Sequence, residues 1–536
     1  MKKRLIVMLL ALALIGALSA CGESGGKTTT ETPSGTPDAS QPASIQPTES
    51  VSGDLKSSLT IALTGDPANF GPNATFSDYA RQVVNQIYGR LFKFDNDGNM
   101  QYLCATSVEQ EDTTHILIKL RTDVKDSNGN QLKASDVLFS INACSKTMFA
   151  GLVKHIDVDN SQILDDYTLR LTLPQPYSLQ LVNLEGLDLF SEASYNASPD
   201  QMITTPVGFG PYMLDSYTSG SQTVLKARDD YFGGQPQFKT VTFVVIVEPS
   251  QKTNALISGD VDLVDVIQPS DIEYVEGTSG CDVVVKQTIA SNGIVFNCSE
   301  VSACNNVDLR RAICYAIDSA AIINTGYKGF AIQPISTYST ALMDNGPEWN
   351  TIAAKYDNYY SYNLDKAKEY FEKSGTPQDI TLKAIHYTAN NGDTCSQMVQ
   401  AMLSQIGINL LITAYDNATV NDMLKTDLEN WDLTFTGWQA DAAYSQSIAD
   451  LQIADNNFCN WSGESFDTFR DIVKQAGSAT SQQELLSLSY QIVDMSSEYV
   501  PFYSLADISN YIGSHSNINV VLGPRYLFDV FYMTTK

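Results

Sequence analysis

Leu59-Thr60-Ile61-Ala62-Leu63 is an apolar run stopped by Gly65-Asp66-Pro67, and it predicts a first strand. Beyond it the spacing becomes helical: Tyr79, Val83, Ile87 and Leu91 share one face, so a helix is expected over about 77–88. His115 to Arg121 alternates as a strand, Asp126-Ser127-Asn128-Gly129 supplies turn chemistry, and an amphipathic helix starts at Ser135. Lys133 has no side-chain acceptor to cap that helix, which leaves Asp136 to serve its N-terminus. Leu309, Ala312, Ile313, Ala316, Ile317 and Ala320 predict one continuous helical face that must be buried.

The second half of the chain alternates regularly. A charged helix over 365–375 stops at Gly375 and Pro377; Ile380 to Ile385 reads as a strand, Thr394 to Ile406 as a helix ended by Gly407, and Ile408 to Ala414 as a strand. This unit predicts a parallel crossover. The next strand begins in Trp431-Asp432-Leu433-Thr434-Phe435-Thr436 and runs into Gly437-Trp438-Gln439-Ala440-Asp441. Such a strand end, with a large aromatic face and one carboxylate, suits the floor of a pocket for a cationic, partly apolar ligand. The plainer alternative is a core tryptophan followed by an exposed loop aspartate. Ser481 and Glu484 form a capping box ahead of a helix, and Val500 to Leu505 is a further strand.

The first residues change the picture from a cytosolic chain to an exported one. Lys2, Lys3 and Arg4 precede an apolar stretch from Leu5 to Leu18 and the small-residue exit Leu18-Ser19-Ala20-Cys21, the pattern of a secretory signal peptide over 1–20. Because it ends in a cysteine it resembles a bacterial lipoprotein signal, which implies lipidation of Cys21 and anchoring to the outer face of the cell membrane. Residues 21–55 are poor in large apolar side chains and read as a disordered tether. Residues 56–536 exceed what one core serves, so more than one domain is expected.

A formal net charge of -28 argues against a nucleic-acid partner. Cys104, Cys144, Cys281, Cys298, Cys304, Cys314, Cys395 and Cys459 contain no Cys-x-x-Cys pair, and histidine is scarce, so no zinc site and no cofactor is predicted. Disulfides and buried free thiols both remain open for them.

Several blocks then carry a resemblance in order. The segment Ile118-Lys119-Leu120-Arg121 through Lys125-Asp126-Ser127-Asn128-Gly129 to Ser135-Asp136-Val137-Leu138-Phe139-Ser140 resembles a block that marks the family 5 solute-binding proteins of ABC transporters, the peptide- and nickel-binding group. Pro206-Val207-Gly208-Phe209-Gly210-Pro211-Tyr212, Asp230 to Pro236, Ala255 to Asp262 and Asp308 to Asp318 resemble successive later blocks of the same family. The resemblance implies an α/β fold of the periplasmic-binding-protein type with a third domain (cluster C): two lobes joined by a hinge, and an extra domain inserted in lobe I. It places lobe I at 56–94, 205–293 and 500–536, the inserted domain at 95–204 and lobe II at 294–499. It also implies a monomer that binds its ligand between closing lobes and delivers it to ABC transporter permease subunits.

The site follows from the same resemblance. Gly437, Trp438, Ala440 and Asp441 match the family's G-W-x-A-D motif, in which the aspartate pairs with the α-ammonium of a peptide and the tryptophan lines a side-chain pocket. Beyond Asp441 the chain reads Ala442-Ala443-Tyr444-Ser445 and departs from the peptide binders. Tyr79 and Arg81 are further ligand candidates, against a solvated helix face for Arg81; Phe296 and Asn297 could offer a backbone edge to an extended peptide, against simple hinge packing. His386 is either a metal ligand or a structural histidine. The functions in competition are capture of a short peptide, capture of an oligosaccharide, opine or metal chelate, and an extracellular hydrolase. Against the last, no G-x-S-x-G, His-Glu-x-x-His or phosphate loop occurs.

Overall fold

A computed structural model of the protein describes residues 56–74, 77–95, 99–339, 347–387, 392–439, 457–523 and 527–536. Cys21, the tether, Ala440 and Asp441 lie outside the described residues. The strands of the main sheet are β1 (Ser58–Leu63), β2 (Tyr212–Thr218), β3 (Gln222–Ala227), β4 (Thr240–Val245) and β5 (Leu263–Val264), then β6 (Cys281–Phe296) and β7 (Ala331–Ile332), and finally β8 (Ile380–Tyr387), β9 (Ile408–Tyr415), β10 (Leu433–Gln439) and β11 (Phe502–His515). They form one 11-stranded sheet in the order β9-β8-β10-β6-β11-β5-β1-β4-β3-β2, with β7 added on β11.

The two long strands β6 and β11 make this a two-lobed molecule. They pair antiparallel from Cys281 opposite His515 to Val295 opposite Phe502. At one end β11 pairs with β5, and β5, β1 and β4 are mutually parallel; at the other end β6 pairs with β10, and β10, β8 and β9 are mutually parallel. The register between β6 and β11 shifts between Gln287 and Ser291, and again between Asn292 and Gly293. Bulges of this kind interrupt ladder hydrogen bonds and let paired strands bend, so the middle of the ribbon is where the lobes can pivot.

Each body has its own apolar core. Leu59, Ile61, Phe70, Val83, Ile87, Tyr212, Phe243 and Ile512 close the first lobe around the sheet. Ile294, Leu309, Ile313, Leu382, Leu433, Phe435, Phe469 and Ile492 close the second. Between 105 and 172 a separate four-stranded antiparallel sheet packs with the helix Ala134–Cys144 around Ile116, Ile118, Val137 and Ile141. That helix starts as expected: Asp136 accepts the backbone N–H of Lys133 at 2.8 Å, and it also accepts that of Glu192 at 2.9 Å.

The expected helical face from Leu309 to Ala320 is not one helix. The chain is helical over Val307–Ala316, turns extended at Ile317 and restarts over Ser319–Gly326. Asp318 accepts the N–H of Ala321 at 2.9 Å, so its side chain competes as an N-cap and outweighs a continuous apolar stripe. The parallel crossover over 380–415 forms as predicted, Ile380 opposite Ile408 through Tyr387 opposite Tyr415. All eight described cysteines are buried free thiols, and burial pushes Cys104 and Cys144 up to about 12.

Candidate ligand-binding cleft

Strand direction locates the cleft. β6 leaves the first lobe and enters the second, and β11 returns. Because β5 is antiparallel to β11, the parallel strands β1, β4 and β5 all point their C-terminal ends toward the second lobe. By the same logic β10, antiparallel to β6, points with β8 and β9 toward the first lobe. The C-terminal ends of both parallel sets therefore face each other across the bulged ribbon, and such ends are where open α/β sheets take ligands.

On the first lobe's rim the charges are already answered. Thr64 N–H donates to Asp265 at 2.8 Å, and buried Lys252 pairs with the same carboxylate at 2.5 Å. Asp66 accepts the Gly220 N–H at 2.7 Å and the hydroxyls of Tyr217 and Ser219 at 2.9 Å, tying the β2–β3 hairpin to the end of β1. Partial desolvation raises the Asp66 carboxyl, but these donors outweigh it and hold it below the ordinary carboxylate range. A carboxyl lowered on folding stabilises above its unfolded pKa, and that stability is lost as pH falls through the lower folded value. The stability difference between the wild type and Asp66→Asn is therefore expected to be full at neutral pH, to persist to the foot of the ordinary carboxylate range and to shrink only as pH falls below it, through the lowered folded value of Asp66; paired thermal melts across pH check this.

On the second lobe's side, β10 delivers Trp438 beside the hinge. Trp438 stands opposite Ser291 on β6, and Ser291 stands opposite Asp507 on β11. The indole is 9% exposed; its Nε1–H donates to the Thr337 carbonyl at 3.0 Å, and Phe502 meets it edge-to-face with centroids 5.3 Å apart. Gly293 is required here, since a methyl there would overlap the Tyr503 carbonyl and sit 2.8 Å from the indole. Gly437 has a matching role on the next strand, where a methyl would overlap the Asn292 side-chain oxygen. Two groups that the motif did not single out join this site: the Ser291 hydroxyl donates to the fully buried Asp507 carboxylate at 2.7 Å, and the Asn292 amide donates to the Tyr327 hydroxyl at 3.0 Å. A lone aspartate inside the apolar run Phe502 to Ile508 was the available signal.

The other expected site residues are placed as follows. Tyr79 is half-buried at the first lobe's rim, with its ring against Gly65. Arg81 turns onto the inserted body, its guanidinium 4.7 Å from the centre of the Phe149 ring. Phe296 and Asn297 are both fully buried; their N–H groups donate to Pro501 and Asp432, and the Asn297 amide donates to the carbonyls of Leu428 and Trp431 at 2.8 and 2.9 Å. Their backbone donors and the Asn297 side chain are spent on holding the hinge exit. His386 is buried at 2% exposure and its Nδ1 donates to the Tyr387 carbonyl at 3.1 Å. Among the described residues no group of histidine, cysteine, aspartate and glutamate is arranged to hold a metal, and no helix is long and apolar enough to cross a membrane.

A cavity of about 750 Å³ lies elsewhere, along the β8–β9 face, lined by Lys383, Leu411, Thr413, Tyr415 and Asp422. Neither Ser291 nor Trp438 lines it.

Comparison with known proteins adds the lineage. The model of the bacterial extracellular solute-binding proteins, family 5, matches residues 99–458. The chain is 24% identical over 410 residues to a probable D,D-dipeptide-binding periplasmic protein of Escherichia coli, covering 72% of this chain and 76% of the relative. It superposes on CtaP, an ABC-transporter substrate-binding protein of Listeria monocytogenes, with a TM-score of 0.78 at 20% identity, over 90% of this chain and all of the other. For the periplasmic binding protein DppA of Helicobacter pylori in complex with a peptide the TM-score is 0.71 at 22% identity, over 90% and 98% of the two chains. The family match spans well over half the sequence, and the family it describes is one of solute-binding proteins rather than enzymes. The chain thus belongs to family 5 of the bacterial extracellular solute-binding proteins.

Proposed function

We propose that this chain is the receptor of an ABC importer and captures a short peptide between its lobes. Asp441 is the anchor for the peptide α-ammonium, and Gly437, Trp438 and Ala440 shape the adjoining wall. The observation that carries this reading is the direction of β10, which brings Trp438 to the hinge and points its C-terminal end toward the first lobe. The relatives fit it: the Escherichia coli protein is named for a dipeptide, and the Helicobacter pylori structure holds a peptide. An oligosaccharide is the poorer ligand, because sugar stacking needs an open aromatic face and Trp438 is packed against Phe502 and Gly293.

In the same proposal one lobe comprises 56–94, 205–293 and 500–536, the other 294–499, and 95–204 is the inserted domain. In this proposal Cys21 is lipidated, residues 21–55 tether the receptor to the membrane, and a monomer hands its peptide to the permease. Native mass spectrometry of the protein as isolated, followed by thermal-shift screening, tests the ligand class. Di- to pentapeptides are expected to raise the melting temperature and oligosaccharides to leave it unchanged; the reverse pattern defeats the peptide assignment.

A further inference from the structure

The inserted body is fastened to the first lobe. The buried Arg90–Asp188 pair closes at 2.9 Å, Gly89 and Leu189 form an antiparallel bridge, and Arg228 donates to the carbonyls of Lys125 and Asp126 at 2.8 and 3.0 Å. Yet one of its segments reaches into the second lobe. Ser178 donates its N–H to Gly477 at 2.8 Å and its hydroxyl to the Ala476 carbonyl at 2.9 Å. These are the last two carbonyls of the helix Glu464–Gly477, at the end where the intrahelical ladder runs out; that of Ala476 also accepts the Ala479 N–H at 3.2 Å. Beside them Leu179, 1% exposed, joins the apolar core of the second lobe, with Tyr177 and Val182 packed against that core. Tyr177 is braced from behind by His155, stacked with ring centroids 3.7 Å apart.

We propose that Tyr177-Ser178-Leu179 is a latch, engaged when the lobes are closed and released when they open. It rests on the hinge-closing function proposed above, but not on the identity of the ligand. Rotation about the bulged middle of β6 and β11 moves the helix Glu464–Gly477 with the second lobe, while the inserted body stays with the first. Opening then withdraws Ser178 from two carbonyls and Leu179 from an apolar site. The latch thereby favours the closed state before any ligand contact is made, and raises the fraction of molecules already in it.

Native-state hydrogen exchange on the full ligand-free chain tests this directly. The Ser178 amide is expected to exchange at least about tenfold faster than the amides of the central strands β6 and β11, because it is released by lobe opening rather than by global unfolding. Exchange of Ser178 at the same rate as those core amides would mean the contact is permanent and would overturn the latch. Small-angle scattering gives the second readout. Leu179→Ser, or the milder Ser178→Ala should the former lose its cooperative melt, is expected to enlarge the ligand-free radius of gyration. An unchanged radius in a folded variant counts against the proposal. Neither measurement uses a peptide, so a wrong ligand class would leave both outcomes intact.

Discussion

Asp441→Asn is expected to weaken binding of free-amine peptides by about a hundredfold or more while leaving the melting temperature of the ligand-free protein unchanged. The physical argument is one of dielectric. A carboxylate and an ammonium brought together between closing lobes lose water, and their attraction is then several times stronger than at an open surface. Removing one partner of such a pair costs about 3–5 kcal/mol, because the other charge stays buried without compensation. Asparagine keeps the shape and removes the charge, so a loss seen with Asp441→Asn is electrostatic in origin. Calorimetric titration with a peptide recovered from the native protein provides the measurement. If the same peptide with its amine acetylated binds the wild type equally well, Asp441 does not read the ammonium.

Arg228→Met is expected to destabilise the fold by about 3–5 kcal/mol, the largest effect foreseen away from the cleft. Arg228 is 3% exposed and donates to the carbonyls of Gly208, Gly210, Lys125 and Asp126, with Asp230 as its carboxylate partner. It joins the turn after the inserted body to the turn within it. Four carbonyls would lose the guanidinium together, and the methionine cannot replace it at any of them, although Gly208 and Asp126 keep the backbone N–H groups of Ser127 and Gly129. Gly208 and Gly210 also lie tight against the preceding helix end: a methyl on Gly210 would come within 2.6 Å of the Ile87 carbonyl oxygen and one on Gly208 would overlap it. Urea denaturation reads the change as a lower midpoint; a loss under about 1 kcal/mol would show that the turns hold without the guanidinium. Arg228→Lys should recover only part of the stability, because an ammonium cannot span carbonyls on two turns.

Much of this architecture was legible in local patterns. The apolar run at 59–63 marks a strand buried on both faces, while the alternation at 115–120, the helical face at 79–87 and the crossover over 380–415 are set by side-chain period, which survives into the fold because burial selects it. Asp136 could be read as a cap for the same reason: capping is local, three residues from donor to acceptor. The helix expected to run through Ala320 failed on a local competitor, the Asp318 side chain, which a stripe-only reading does not weigh.

The site divides along the same line. Gly437-Trp438-Gln439-Ala440-Asp441 stands out in the sequence as a strand end with an aromatic and an acid, and the family blocks give it a meaning. Nothing in it says that the indole packs edge-on to Phe502, that Gly293 makes room for it, or that Thr337 receives its N–H. Those partners lie far away along the chain and meet only when β6, β10 and β11 pair. Phe296 and Asn297 show the same limit: an exposed edge and a packed hinge read alike in sequence, and the carbonyls of Leu428 and Trp431 decide between them.

The sequence by itself determined the class of protein, because turn glycines, strand alternation and the order of the blocks are properties of neighbouring residues. Only the tertiary structure decided where the cleft opens, where the ribbon bends and that Ser178 reaches the second lobe. Strand direction, register shifts and contacts between bodies are set by the pairing of segments hundreds of residues apart, and no local pattern encodes them.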